Sequence, residues 1–205
     1  MLAAERLALA DRLDALTPDQ WNIPSLAAGW TVRHVVAHVV MPFRYSRARI
    51  AVKFLFARGD FNRLADQVAR ADSKLPTSQL VDILRCNAEN PFTPPGAGLE
   101  APLTDLVMHT LDISRPLGLT VSRPADTTRV VLDSLMTQQS LKFFGLDLAG
   151  IRLHTTDLDW AAGEGQEVCG TADDLILLLG GRPSAIAGLS GAGTRTLTEQ
   201  RAARP

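Results

Sequence analysis

Residues 102–117, PLTDLVMHTLDISRPL, decide how the chain is read. Proline at the head of the stretch suits the first turn of a helix, where its missing N–H has no partner to lose. Leu103, Leu106, Val107, Thr110 and Leu111 follow at three- and four-residue steps, which predicts a helix with one packing stripe running to about Leu117. Asp105 and His109 stand at i, i+4 along the edge of that stripe, and Asp112 extends the same edge by another turn. A carboxylate held against a core is costly without a partner. The helix therefore packs on one side and carries chemistry beside it.

Upstream, residues 30–40 read WTVRHVVAHVV. Thr31 is the expected cap of a second helix, on which His34 and His38 share a face one turn apart. Pro42 predicts a kink or break before the helix resumes toward Phe56. Leu2, Leu9, Leu13 and Leu16 make a helical stripe at the N-terminus, and Thr17-Pro18-Asp19-Gln20 starts a short turn carrying Trp21. Shorter helices are expected over Phe61–Ala71 and Ser78–Asn90, a firm break over residues 90–98 (NPFTPPGAG), and a further helix over Ala125–Phe144. Amphipathic helices with short connections argue for a bundle.

After Gly145 the texture changes. Ile151–Thr156 alternates and is rich in β-branched residues, so it reads as a strand, and Gln166–Cys169 as a second one. Thr171 opens an apolar helix that stops at Gly180-Gly181, Pro183 starts a last short helix, and Thr198–Pro205 is expected to fray. The fold class that follows is mainly α with a small α+β part. A four-helix bundle takes residues 1–146, and a small C-terminal α+β domain takes residues 147–205.

Composition narrows the functions available. The chain has 205 residues and a formal net charge of −1, which lacks the basic excess of a nucleic-acid binder. Two cysteines, Cys86 and Cys169, exclude a disulfide framework or a thiolate-built zinc finger, and both read as small core residues. No apolar run reaches the roughly 20 residues that span a bilayer, and the charged N-terminus reads as an amphipathic helix rather than a signal peptide. These features predict a cytoplasmic protein with no membrane and no nucleic-acid partner.

The four histidines carry the chemical signal. A histidine from the facing helix, joined to Asp105 and His109, makes three N/O ligands with one position left open, the pattern of a catalytic divalent-metal site. The alternatives are an intrahelical Asp–His pair or exposed polar residues. Asp112 either orients a ligand imidazole or makes an ordinary hydrogen bond near the helix end. Arg44, Arg47 and Arg49 can receive an anionic substrate or cofactor, or simply form a solvated face. Trp21 and Trp30 read as packing anchors at the bundle entrance, and His154 as a structural strand histidine.

Taken together, these segments resemble a known family. Leu16-Thr-Pro-Asp-Gln-Trp21, Gly29-Trp-Thr-Val-Arg33 and Ala37-His38 are similar to the N-terminal signature of the mycothiol-dependent maleylpyruvate isomerase family, within the DinB-like metal-binding helical bundles. Asp105-Leu-Val-Met-His109-Thr-Leu-Asp112 resembles its second signature, and Glu167–Gly170 with Ala172–Arg182 its C-terminal part, so the likeness spans about residues 5 to 195. It implies metal ligands at His38, Asp105 and His109, with Asp105 where a glutamate is more usual. His34 falls at a non-ligand position, and it and Asp112 are expected beside the ligands. The resemblance further implies a divalent metal, zinc by default, and mycothiol as cofactor; Arg44 and Arg47, on their charge alone, are the candidate contacts for such a cofactor. The implied reaction is cis-to-trans isomerisation of a small electrophile by reversible thiol addition, or thiol transfer. A thiol-independent metal hydrolase and a non-catalytic ligand-binding or regulatory bundle are the competing readings. The expected assembly is a monomer or homodimer.

Overall fold

The N-terminal leucine stripe forms α1 (Leu2–Asp14), and a 3-10 turn at Gln20–Asn22 buries Trp21 after it. The computed structural model describes residues 1–94 and 96–202, and the chain divides between Val121 and Ser122 into two compact units.

The first unit continues with α2 (Val32–Val39), α3 (Met41–Arg44), α4 (Arg47–Phe56), α5 (Phe61–Asp72), α6 (Thr77–Cys86) and α7 (Ala101–Ser114). Helices α1, α2, α6 and α7 share one apolar core, to which they contribute Leu9, Val36, Leu84 and Leu106 among others. Each such side chain taken from water contributes about 1.5–3 kcal/mol. These four helices are the bundle. Helix α5 lies against α2, where Leu64 and Val68 pack with Met41 and Ala57. Arg6 ties α1 to the loop after α6: its guanidinium donates to the carbonyls of Asn87, Ala88 and Asn90 at 3.0, 2.9 and 2.6 Å.

Helix α2 begins in a reciprocal cap. Thr31 is extended, its hydroxyl accepts from the His34 N–H, and its own N–H donates to His34 Nδ1 at 3.1 Å. Pro42 sits in the first turn of α3, Tyr45 is extended, and the chain turns into α4, as the proline predicted. Helix α4 buries none of its residues and leans on the core through Ile50. Its outward side carries Val52, Leu55 and Phe56, which are 52%, 76% and 79% exposed.

The second unit holds α8 (Ala125–Leu135), α9 (Gln138–Phe144), β1 (Ile151–Thr155), β2 (Ala161–Gly163), β3 (Gln166–Gly170), α10 (Ala172–Leu179) and α11 (Gly193–Ala202). The sheet has the order β2-β1-β3, with β2 antiparallel and β3 parallel to the central strand. Ile151, Leu153 and Thr155 alternate inward along β1, and α10 packs on this strand and on α8. At the turn into β3, Gly165 has φ +125° and a Cβ there would lie 2.1 Å from the Gly150 carbonyl oxygen, so only glycine fits.

Several expectations change here. The helix expected over Ala125–Phe144 is two, because Thr137 stops the first and caps the second by accepting from the Ser140 N–H. Both belong to the unit that starts at Ser122, since α8 packs its buried face on α10; the texture change after Gly145 is a change of element within that unit. Strand β2 was hidden in a weak Ala-Ala-Gly segment. Thr198–Ala202 is helical, on a helix whose Leu197 is buried, while residues 203–205 lie outside the described residues. Cys86 is exposed, because the buried face of α6 is Leu80, Val81 and Leu84, and Cys169 is half-buried. Among the described residues, no helix is long and apolar enough to cross a membrane.

Removing one side of the α2 cap tests its weight. Thr31→Ala is expected to lower the stability of the first unit by about 1 kcal/mol, read from the urea midpoint of its helical circular dichroism.

Candidate metal centre

Helix α7 is buried on nearly every side, which puts its polar residues inside the unit. His109 and Asp112 lie three residues apart and face each other, with His109 Nδ1 2.8 Å from Asp112 Oδ2. Asp112 has no exposed surface. A carboxylate only accepts, so Nδ1 carries a proton and donates, and in the neutral ring the lone pair of His109 is left on Nε2. One turn back, Asp105 presents Oδ1 to that Nε2 at 3.4 Å, and its side chain stays 49% exposed at the rim.

The third member comes from α2. His38, buried in the last turn of that helix, places Nε2 3.9 Å from the same Asp105 oxygen. The ligand atoms of His38, Asp105 and His109 all lie within 4.8 Å of one another. Two donors about 2.1 Å from a shared tetrahedral ion are about 3.4 Å apart. The observed spacings therefore suit a divalent ion, and two imidazoles with one carboxylate are a donor set that such ions take. The shorter aspartate arm still reaches, because it projects from the same helix as His109.

The charges in this cluster are strongly linked. Burial works to lower the His109 pKa, but Asp105 and Asp112 outweigh it and raise it to about 9. Crowding by the protein works to raise Asp105; the His109 charge and the polar contacts of both imidazoles overcome it and hold Asp105 well below the ordinary carboxylate range. An ion entering the cluster thus displaces a proton from His109 Nε2.

Trp30 forms a wall that the sequence reading treated only as a packing anchor. Its ring lies 5.2 Å from that of His38 and stacks at 6.3 Å from that of His109, and the two imidazoles meet edge to face at 4.9 Å. The loop before α2 brings it there. Leu26 N–H donates to the Asp112 carbonyl, Ser25 N–H to the Trp30 carbonyl, and Gly29 turns the chain with φ +76°. The Trp30 indole N–H donates to Asp66 Oδ1 at 2.9 Å. The aromatic type and its place eight residues before His38 were the available signal; the partner on α5 was not readable.

Other expected site residues lie elsewhere. His34 caps α2 through Nδ1 and is no part of the cluster. Arg44 is engaged 2.8 Å from buried Asp72, which also accepts from the Tyr45 hydroxyl at 2.7 Å. Arg47 and Arg49 are exposed on α4, and His154 is exposed on β1.

Fold and geometry together define a helical bundle with a His–Asp–His centre, followed by an α+β unit. Residues 2–91 match the sequence model of the family described as "Mycothiol maleylpyruvate isomerase N-terminal domain", and this part of the chain is similar to that family. The resemblance read from the signatures is thereby borne out. The solved crystal structure of the mycothiol-dependent maleylpyruvate isomerase is similar at 17% identity and a TM-score of 0.53, covering 95% of this chain and 94% of that one. A histidine-to-alanine mutant of the isomerase matches with the same TM-score and coverage at 16% identity. At these identities the likeness is one of fold. No curated protein matches the chain.

The His109 linkage has a direct test in metal-free protein. Its raised pKa means that its contribution to stability is complete below about pH 6.5, and fades as pH rises through about 9. NMR titration of the imidazole resonances is expected to show His109 changing charge near pH 9. Asp112→Asn, which keeps an acceptor but removes the charge, should bring that midpoint down by about one pH unit or more.

Proposed function

We propose that this protein is a metal-dependent enzyme of the mycothiol-using isomerase kind, in which His38, Asp105 and His109 hold a divalent ion, zinc for this donor set. One observation carries the reading. The family match ends at residue 91 and so contains His38 alone, yet the fold brings Asp105 and His109 from beyond that limit to within ligand range of it. The substrate class that fits the family likeness is a small conjugated acid resembling maleylpyruvate, and the reaction is cis-to-trans isomerisation.

A divalent ion in this place supplies the charge that keeps a coordinated thiol in its nucleophilic thiolate form near neutral pH. The chain supplies the rest. Asp112 fixes the His109 tautomer so that Nε2 faces the centre, which also makes the ring a stronger donor. Asp105 adds a negative charge, its carboxyl held well below the ordinary carboxylate range by the imidazoles beside it. Three protein donors leave coordination places for exogenous groups. The Trp30 face covers both imidazoles on one side and keeps water from it, which strengthens the electrostatics within. Cys86 and Cys169 are not members of the cluster, so the reacting sulfur comes from outside the chain.

Metal analysis followed by a thiol-dependence assay tests the reading. Protein purified without chelators is expected to carry about one equivalent of metal, and His38→Ala to lose most of it. Isomerisation of maleylpyruvate is expected to require mycothiol and to fall on the order of a hundredfold in His38→Ala. Metal-free wild-type protein that also stays inactive after reconstitution overturns the proposal. Thiol-independent hydrolysis by the metal-loaded protein replaces it with a hydrolase.

A further inference from the structure

The two imidazoles of the centre are held by different means. His109 is oriented by a hydrogen bond from Nδ1 to a fully buried carboxylate. His38 has no counterpart: its Nδ1 is buried without a hydrogen-bond partner among the described residues, and its Nε2 is 3.9 Å from Asp105, beyond hydrogen-bond reach. The His38 ring packs against two other rings, Trp30 at 5.2 Å and His109 at 4.9 Å.

Trp30 is in turn held from its far side. Its N–H donates to Asp66 on α5, and Arg70 Nε donates to both oxygens of that carboxylate at 2.9 and 3.0 Å. Arg70 Nη2 also reaches the carbonyl of Gly29 at 3.4 Å, the residue just before Trp30. A planar indole held at one edge by a hydrogen bond is restricted in its swing, and a ring packed against its face is restricted with it. Helix α5 is outside the four-helix core and carries no member of the metal centre, yet it supplies the single directional bond that fixes the indole.

We propose that Trp30, fixed by Asp66 and Arg70, is the positioning residue for the His38 imidazole, and that α5 thereby sets the metal affinity of a centre to which it gives no ligand. This rests on the reading of the cluster as a metal site. Trp30 acts on His38 by contact, as Asp112 acts on His109 by a hydrogen bond. The indole N–H and Asp66 form one device, so removing either should have the effect of removing both.

A double-mutant cycle in zinc affinity, measured by competition with a chromophoric chelator, tests this. Asp66→Ala and Trp30→Phe are each expected to weaken zinc binding by about tenfold, the lower end of the range for residues that orient metal ligands. The double variant is expected to be no weaker than either single one, whereas Asp105→Asn, which removes a ligand charge, weakens binding in every background alike. Unchanged affinity in both single variants, or fully additive losses, overturns the proposal. A second readout needs no metal. Imidazole resonances of metal-free protein should show one sharp His38 environment in the wild type, and a broadened or doubled one in Trp30→Phe and Asp66→Ala, while His109, held by Asp112, stays in a single sharp environment even where the altered Trp30 ring shifts its position. Wild-type protein that binds no zinc overturns the functional reading alone, and the His38 resonances then decide the positioning claim. Sharp, unchanged His38 signals in both variants overturn it.

Discussion

A carboxylate with no access to water, Asp112, sits in the last turn of the most buried helix of the first unit, and the rest of that unit is arranged around making it tolerable. A buried charge deprived of its partner costs about 3–5 kcal/mol, a large part of the stability of an ordinary domain. His109 supplies the partner from the next turn of the same helix. That commitment fixes the imidazole's tautomer, raises its pKa to about 9, and makes Asp105 its natural neighbour on the other side. The polar edge of α7 is thus one linked series of charges, and the bundle core of α1, α2 and α6 closes around its apolar faces.

The loop between the turn at Trp21 and α2 belongs to the same arrangement. It is bonded to the backbone of Asp112 itself through Leu26, so the buried carboxylate residue anchors the segment that lays Trp30 over the centre. Structural and chemical roles meet in one residue here. The side chain of Asp112 orients a donor, and its carbonyl positions the wall that shelters it.

Much of this was legible in sequence because it rests on local rules. The packing stripe of 102–117, the Thr31 cap, the break at Pro42 and the strand at Ile151 all depend on residues within a turn or two of each other. The i, i+4 spacing of Asp105 and His109 is likewise local. What escaped depended on distant partners. Nothing near Trp30 in sequence foretells a carboxylate on α5, and nothing near Arg44 foretells Asp72. His34 was placed beside the site by the same spacing that links it to His38, but its position three residues after the cap committed its nitrogen to Thr31 instead. Grouping Ala125–Phe144 with the bundle failed for a related reason, since amphipathicity tells that a helix packs without telling which core it packs on.

Helix α4 shows Val52, Leu55 and Phe56 to water, and residues 45–59 carry Arg47, Arg49, Lys53 and Arg58 with no acidic residue among them. Apolar area invites association, and a concentration of one sign of charge opposes it between like surfaces. Salt acts on these two tendencies in the same direction: it screens the repulsion between such flanks, and sulfate or phosphate also strengthens apolar burial. On this flank, therefore, higher ionic strength favours association between like surfaces and lower ionic strength opposes it.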